Sequence, residues 1–308
     1  MSGDILNREA DKKMNEFKNY HPVVNMFYFT AVIAFSVVFM HPICILISLF
    51  SGFVYSAVLG GRKILKFDLT CLLPLAVTAA LANPAFNHEG ITIIAYFPNG
   101  NPLTLESVIY GLAAAGMLSG VICWFSCFGK VMTSDKFIYL FGKIVPSLSL
   151  VLSMALAFVP KLLENVRQAR EAQKCIGINA SKKGVVRKLK NGIKLLSVVI
   201  TRSMENAIDA SDSMKSRGYG LPGRSAFSNF NFTKRDALAV VCTAVFAVYI
   251  IVGGMHGGFY FRYFPSMREM EFSPLFAGMA AVYAVLCLMP MMIGVWEELK
   301  WKKLKSKI

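Results

Sequence analysis

Charged residues are scarce in this sequence and are absent from long parts of it. Only 17% of the 308 residues are Asp, Glu, Lys or Arg, whereas 55% are hydrophobic, and the mean hydropathy is +0.52. A composition this apolar excludes an ordinary soluble globular protein. Acidic residues are scarcer than basic ones: the chain has 18 Asp and Glu and 33 Lys and Arg, which gives a net charge of +15. In an apolar chain, excess Lys and Arg indicate cytoplasmic loops that fix membrane topology, so we expect no nucleic acid partner.

Seven stretches have no charged residue and approach the roughly 20 residues that a helix needs to cross a bilayer. They are residues 23–40, 43–59, 69–86, 108–128, 144–160, 237–254 and 275–295. If 144–160 does not cross and the N-terminus is cytoplasmic, 31 of the 33 basic residues are cytoplasmic. If 144–160 also crosses, the segment 161–235, with 16 basic and 5 acidic residues, lies outside, against the positive-inside rule. We therefore predict six transmembrane helices, with 144–160 on the membrane surface or packed under other helices.

The predicted fold class is an all-α integral membrane protein with a cytoplasmic domain of amphipathic helices between the fourth and fifth spans. Both termini are expected in the cytoplasm of a multi-pass cell-membrane protein. The expected parts are a cytoplasmic N-terminal segment (1–22), a four-span membrane half (23–128), the cytoplasmic helical domain with its membrane-surface helix (129–235), a two-span membrane part (236–295) and a basic cytoplasmic tail (296–308).

The loop expected outside the cell, residues 87–106, contains no Lys or Arg. It has a short β-like run at 91–97, and Thr104 followed by Glu106 predicts a helix start. His88 beside Glu89 has the chemistry of a metal ligand pair, but two residues are a weak cluster, and a solvated loop is the favoured interpretation. In the fourth span, small residues between Gly111 and Gly120 predict close helix packing, most simply within the protein.

Three amphipathic helices are predicted in the cytoplasmic domain from apolar residues spaced three and four apart. The first runs from Val159 to about Ile176, the second from Val185 to about Ile200, and the third from Met204 to a stop at Gly218. The third also carries Glu205, Asp209 and Asp212 on one stripe, which we interpret as a solvated face.

The third predicted helix ends in Ser216-Arg217-Gly218, and two interpretations of this end are open. Lys215 and Arg217 suit the negative C-terminal end of a helix dipole, so the end can be an ordinary solvated one. Alternatively, the glycine stop makes Arg217 project from a blunt tip, where its guanidinium can clamp a carboxylate or carbonyls in a groove of a partner protein.

Four spans, amphipathic cytoplasmic helices and a helix ending in Ala/Ser-Arg-Gly together resemble the transmembrane T component of energy-coupling factor (ECF) transporters. The strongest local similarity is "ENAIDASDSMKSRGYG" at 205–220, and the resemblance extends over nearly the whole chain. It implies a coupling subunit of a prokaryotic importer of vitamins or transition metals. The expected partners are two ABC-type ATPase subunits, a small substrate-binding membrane protein (the S subunit) and the lipid bilayer.

The resemblance also implies two coupling helices, each ending in a motif that inserts into a groove of one ATPase. Ser216, Arg217 and Gly218 match the second motif, with Arg217 as the expected anchor to an ATPase carboxylate. The first motif is expected at Lys174, Cys175, Ile176 and Gly177, where the family's arginine position holds Ile176. Either this half docks by apolar contacts with a dissimilar ATPase, or the first coupling site is weak.

Several motifs and residue patterns are absent from the sequence, and each absence disfavours a class of function. The sequence has no G-x-x-x-x-G-K-[S/T] loop, so we expect no ATP binding by this chain, no enzymatic activity, no catalytic residues and no cofactor. The spans contain no charged residue to relay protons, which disfavours an ion-coupled transporter. The seven cysteines imply neither a disulfide framework nor a metal site. The alternative function is a membrane scaffold or channel-like protein whose basic domain binds lipid or a cytosolic partner; a conventional ABC permease is less favoured.

Overall fold

The computed structural model describes residues 16–87, 89–96, 102–176, 185–219, 221, 230–265 and 274–305. Most of these residues are helical, and two short strands form a small hairpin. The elements are a short 3-10 helix (Glu16–Asn19), α1 (Pro22–Val38), α2 (Pro42–Phe86), β1 (Ile93–Tyr96), β2 (Pro102–Thr104), α3 (Leu105–Val131), α4 (Ser134–Ile144), α5 (Pro146–Cys175), α6 (Val185–Ser216), α7 (Lys234–Met255) and α8 (Pro274–Lys305). They form two compact units: α1, α2, α3, α7, α8 and the hairpin make up one, and α4, α5 and α6 the other.

Six apolar helices correspond to the six predicted spans. Within the described residues, four are long and apolar enough to cross a bilayer, and two are shorter. The four are Pro42–Gly61, Leu105–Val131, Lys234–Met255 and Pro274–Glu297, and the shorter two are Pro22–Val38 and Leu72–Phe86. The prediction of an all-α integral membrane protein is thus confirmed.

The first two spans begin with the same two-residue signal, His-Pro. His21 and His41 are the N-caps of α1 and α2, and in each case the side-chain Nδ1 accepts a hydrogen bond from the backbone N–H two residues later, at 3.3 Å. The following proline occupies the first helical turn, where its missing N–H needs no partner. The sequence His41-Pro42 therefore separates two apolar runs by starting a new helix.

A kink at Gly61 divides α2 into the second and third predicted spans. Gly61 has φ 57° and ψ −157°, a conformation outside the helical region. A positive φ of this kind favours glycine, which has no Cβ to clash with the backbone. The basic residues that follow this glycine in the sequence, Arg62, Lys63 and Lys66, are those that the topology argument assigns to the cytoplasm.

The predicted β-like run at 91–97 contains β1, which pairs antiparallel with β2 in a short hairpin; residue 97 lies outside the described residues. Thr104 caps α3 by accepting a hydrogen bond from the Ser107 N–H at 3.4 Å, as its sequence position predicted. The buried Glu106 carboxylate accepts hydrogen bonds from the Thr92 N–H at 3.2 Å and from the Thr92 hydroxyl at 2.8 Å. These bonds attach the hairpin to the start of α3.

The core of the first unit is built from large aromatic residues on different helices. Trp124 of α3 is fully buried, as are Tyr28 and Phe29 of α1, and the ring centroids of both lie 6.3 Å from that of Trp124. The Trp124 indole N–H donates to the Ser48 carbonyl of α2 at 3.2 Å. Burying the indole together with its partner avoids the free-energy cost of an unpaired polar group.

Small residues of α3 allow α2 to approach closely, so the predicted internal packing of the fourth span is confirmed. A Cβ added at Gly116 would lie 2.9 Å from the Ile45 Cγ2, and one added at Gly111 would lie 2.7 Å from the Ala80 carbonyl oxygen. Neither distance leaves room for a side chain. The two helices are in contact because glycine stands at these positions.

The apolar stretch 144–160 does not form a helix of its own. It is the first half of α5, which continues through Pro160 to Cys175. Proline removes one backbone hydrogen bond from the helix interior, but the neighbouring turns hold the helix together. The predicted start of a separate amphipathic helix at Val159 is therefore wrong, whereas the position of this stretch at the membrane surface stays a prediction.

Candidate docking tips of α5 and α6

The second and third predicted amphipathic helices are one helix, α6, of 32 residues. The sequence had suggested a break between Ile200 and Met204. No glycine or proline occurs between Ile193 and Arg217, so nothing in this stretch interrupts the backbone hydrogen bonds. Arg217 consequently lies at the end of a long continuous helix.

The C-terminal end of α6 is closed by a Schellman motif. The Tyr219 N–H donates to the Met214 carbonyl at 3.0 Å, and the Gly218 N–H donates to the Lys215 carbonyl at 3.0 Å. Gly218 has φ 79°, the left-handed conformation that this motif requires. The glycine stop expected from the sequence is present, and Arg217 is the last residue before the chain turns away.

The Arg217 side chain is exposed, and within the described part of the chain it makes no ion pair. The nearest acidic residue in sequence, Asp212, instead faces Lys215 at 3.8 Å, and both of these side chains are about three quarters exposed. A surface pair of this kind contributes little stability. The guanidinium is thus available at the tip.

The acidic stripe before the tip is a solvent-facing surface. Glu205, Asp209 and Asp212 are all exposed. Their interpretation as an ordinary polar helix face agrees with this exposure.

The first candidate tip has the same position in its helix but different chemistry. Ile176 is the C-cap of α5, follows the last helical residue directly as Arg217 does in α6, and is 77% exposed. Lys174 and Cys175 are exposed as well. Gly177 lies outside the described residues. Ile176 and Arg217 thus each directly follow the last residue of their helix, whereas the role of Ile176 in a docking motif stays a prediction.

The described hydrogen bond between α5 and α6 lies well before both tips. Arg202 Nη1 donates to Gln168 Oε1 at 3.5 Å, seven residues before Cys175 and fourteen before Ser216. At a rise of 1.5 Å per residue, these separations correspond to about 10 Å and 21 Å of helix. Each helix thus continues beyond this contact to its own end.

A continuous apolar stripe on α6 is exposed. Its members recur every three or four residues over six helical turns, so they lie on one face. They are Val186, Leu189, Ile193, Leu196, Ile200, Met204 and Ile208, and their exposed fractions run from 49% to 81%. The sequence placed the first five on one predicted helix and the last two on another; the structure places all seven on one helix and shows that they are exposed. Apolar faces of this length on a helix indicate an interaction surface.

Metal binding finds no support within the described part of the chain. No group of three or more His, Cys, Asp or Glu side chains there is placed to hold a metal ion. Glu89 is exposed, and its neighbour His88 lies outside the described residues. The six cysteines whose side chains are described are free thiols.

Comparison with known proteins covers the region that contains both helices. Residues 17–227 match the family model CbiQ, described as "Cobalt transport protein". Over 109 residues the chain is 31% identical to the energy-coupling factor transporter transmembrane protein EcfT of Lactococcus lactis subsp. cremoris, which is 35% of this chain and 41% of that protein.

Two further relatives have the same printed name. The EcfT protein of Lactobacillus helveticus is 34% identical over 97 residues, 31% of this chain and 35% of the relative. That of Brevibacillus brevis is 26% identical over 213 residues, 65% of this chain and 80% of the relative. The matches to the Lactococcus and Lactobacillus proteins thus span less than half of each relative's length, whereas the Brevibacillus match spans most of it.

Proposed function

Because the chain belongs to the CbiQ family, we propose that it is the transmembrane coupling (T) subunit of an ECF importer of the ABC type. Two ATPase subunits hydrolyse ATP in this assembly, and a small membrane S subunit binds the nutrient, a vitamin or a transition metal ion. This chain joins the two kinds of subunit and passes the motion of the ATPases to the S subunit. It performs no ATP hydrolysis itself.

The observation that carries the proposal is the exposed arginine at the closed end of α6. Arg217 stands at a Schellman terminus, so it leads the helix into a partner groove rather than lying along its side. A guanidinium presents several N–H donors in a fixed plane and can bind a carboxylate through two parallel hydrogen bonds. A carboxylate inside an ATPase groove is the matching partner.

The two tips are expected to dock onto unlike surfaces. Arg217 offers a charged fork, whereas the equivalent Ile176 offers an exposed aliphatic side chain. Burial of an isoleucine side chain contributes about 1.5 to 3 kcal/mol, so an apolar groove can hold this tip without a salt bridge. We therefore propose two dissimilar ATPase subunits, one with an acidic groove for Arg217 and one with an apolar groove for Ile176.

The exposed apolar stripe of α6 is the proposed contact surface for the S subunit. An S subunit is itself a membrane protein with apolar helices, and its burial of the stripe would remove isoleucine, leucine and valine side chains from water. Because the stripe and Arg217 belong to one unbroken helix, a displacement of the tip moves the whole stripe. A rigid element of this kind transmits motion between two partners.

Two buried polar atoms without hydrogen-bond partners in the described part of the chain, both in the unit that contains α5 and α6, favour movement of one helix against the other. Among the described residues, Asn165 Nδ2 and Ser203 Oγ are buried without a hydrogen-bond partner. A buried unpaired donor or acceptor costs about 1 to 3 kcal/mol, so a rearrangement that gives it a partner has a small net cost. This property suits a helix pair that changes its arrangement during each ATP cycle.

Purification of the tagged full-length chain in a mild detergent from its own cells tests the proposal. The expected result is recovery of two different ABC-type ATPases and a small, very hydrophobic membrane protein, all identified by mass spectrometry. A chain that is recovered alone, or with cytosolic proteins that lack ATPase motifs, would contradict the coupling function and favour a scaffold.

A further inference from the structure

An apolar groove runs along the first unit between α7 and α8. Its volume is about 690 Å³, within the range of small-molecule sites in proteins. Every residue described as lining it is aliphatic, aromatic or sulfur-containing. The lining includes Cys242 and Phe246 of α7 and Val285, Met289, Trp296 and Leu299 of α8.

The length of the groove is closer to the thickness of one leaflet of a bilayer than to that of both. Its lining extends along α8 from Val285 to Leu299, a span of fourteen residue-to-residue steps. At 1.5 Å per residue this is about 21 Å, compared with roughly 15 Å for the hydrocarbon of one leaflet and 30 Å for both. A transmembrane helix of a partner would need a groove through both leaflets, whereas a lipid acyl chain needs one. The length therefore favours an acyl chain.

One end of the groove is basic and amphipathic. Trp296 is 66% exposed there, and the Lys300 ammonium lies 5.9 Å from the centroid of the Trp296 ring. Tryptophan at the end of a membrane helix is typical of the headgroup region, where a lysine side chain also reaches water. Over residues 300–308 the sequence has five lysines and no acidic residue.

Two carboxylates, Glu297 and Glu298, precede Lys300 in the sequence; the Glu298 side chain lies outside the described residues, and Glu297 is already paired. Glu297 accepts a hydrogen bond from Arg235 Nη1 at 2.9 Å, and its side chain is largely buried. Lys300 can therefore face an anionic group from the lipid without competition from Glu297. A phospholipid whose acyl chain fills the groove would place its phosphate near the Lys300 ammonium.

From this juxtaposition we infer that the groove between α7 and α8 is a binding site for one anionic glycerophospholipid, with an acyl chain against Cys242 and Met289 and the headgroup against Trp296 and Lys300. The inference rests on the membrane class of the chain and is independent of the proposed coupling function. Anionic lipids are attracted to basic residues at the membrane surface, and the apolar groove adds selectivity for a bound chain over bulk lipid.

Native mass spectrometry of the purified full-length chain tests the site. The protein in mild detergent is mixed with equal amounts of phosphatidylglycerol and phosphatidylcholine that have identical acyl chains, and retained lipid is counted. The expected result is preferential retention of phosphatidylglycerol. Cys242→Phe, which fills the groove, should abolish this retention. Val241→Phe, at the exposed neighbouring position outside the groove, should leave it unchanged.

A second variant keeps the test independent of any folding defect in the groove. Lys300 is exposed, so Lys300→Gln should fold normally and lower the preference for phosphatidylglycerol about fivefold, the effect expected for one basic residue near an anionic lipid. Lys190→Gln on α6 is the matched control and should have no effect. Equal retention of the two lipids by the wild-type protein would overturn the inference. The inference would also be overturned if Cys242→Phe retained lipid normally but no longer co-purified with a membrane protein. A helix of that protein, rather than a lipid, would then occupy the groove.

Discussion

Arg217 at the end of α6 and Ile176 at the end of α5 hold equivalent positions but differ in their chemistry. Each follows the last residue of a long helix, and each is exposed. One is a permanent cation with directional hydrogen-bond donors, and the other can contribute only apolar contact. Under the proposed function, most of the polar binding energy toward the ATPases therefore comes from Arg217.

Ile176→Arg distinguishes a weak first site from an apolar one. If the first site is merely weak, an arginine there should leave nutrient uptake unchanged or increase it, because the variant restores the charge that the second tip already has. Because we propose that the isoleucine itself fills an apolar groove, the expected result is a strong fall in uptake, since a buried unpaired charge is costly. Uptake by cells that express the complete transporter is the measurement, and Ile176→Val, which keeps the apolar character, is the control.

His41 should make the stability of the membrane part depend on pH. The imidazole is buried in the turn between α1 and α2, its ring centroid lies 4.7 Å from that of Phe276, and its Nδ1 accepts the Ile43 N–H. Burial lowers the pKa of His41 below the ordinary value of 6.5. The unfolded chain therefore binds the proton more tightly than the folded one, and stability is lost as the pH falls below about 6.5.

The measurement for His41 is the thermal unfolding temperature in detergent at pH 7.5 and pH 5.5. The wild-type protein should lose more stability on acidification than His41→Asn, because asparagine also caps helices but does not titrate. An equal loss in both proteins would show that His41 does not contribute to the pH dependence.

The end of α6 depends on a conformation that only glycine adopts at low cost. Gly218→Ala places a Cβ on a residue with φ 79°, which costs about 1 to 2 kcal/mol and opposes the Schellman closure that presents Arg217. We expect ATPase recovery to fall by roughly 5- to 30-fold as the tip changes its conformation. Binding of the purified ATPases to the solubilised complex is the measurement.

Gly192→Ala provides the matched control on the same helix. Gly192 lies inside α6, and a Cβ added there would meet no atom within 4 Å. Alanine should stabilise the helix by about 0.5 to 1 kcal/mol and leave ATPase binding unchanged. Wild-type binding by Gly218→Ala would show that the glycine terminus is not required.

Local signals predicted helix starts and stops better than they predicted helix continuity. Thr104 and Gly218 marked real termini because capping depends on a few neighbouring atoms. The break expected after Ile200 does not exist, since a shift in the apolar pattern along a helix does not itself interrupt backbone hydrogen bonds. The separate helix start predicted at Val159 is likewise absent, because the rest of α5 compensates for the one backbone hydrogen bond that Pro160 removes.

The short helix α4 was not predicted from the sequence, although Phe137 and Phe141 lie one turn apart in it and their stacked ring centroids are 6.5 Å apart.

Contacts between distant parts of the chain could not be read from the sequence either. Tyr28 donates a hydrogen bond to the Leu286 carbonyl, which would otherwise face the missing N–H of Pro290 four residues later. That pairing joins residues 258 positions apart and has no local signature.

The charge distribution of the whole molecule makes a separate prediction about its orientation. With the N-terminus inside, 31 of the 33 basic residues fall on the cytoplasmic side, and the exceptions are Arg262 and Arg268. The basic residues of α5, α6 and the C-terminal lysines then share one compartment with the proposed ATPase partners. The topology and the docking tips therefore require the same orientation.

Reporter fusions test this orientation directly. A fluorescent protein fused after residue 308 should fluoresce, because it folds in the cytoplasm, whereas alkaline phosphatase at the same position should be inactive. Inserted in the loop between β1 and β2, the phosphatase should be active. The reverse pattern would place Arg217 outside the cell and exclude docking onto cytoplasmic ATPases.

Under the proposed function, this chain couples ATPases to a membrane partner through Arg217. The most direct measurement is co-purification of the ATPases with Arg217→Glu, compared with Lys194→Glu, the same charge change at an exposed position elsewhere on α6. Both variants should reach the membrane at wild-type levels. Breaking a buried charge pair costs about 2 to 5 kcal/mol, so Arg217→Glu should lose at least 30-fold in ATPase recovery while Lys194→Glu stays near wild type. Equal recovery of the ATPases with both variants, together with normal nutrient uptake, would contradict the claim.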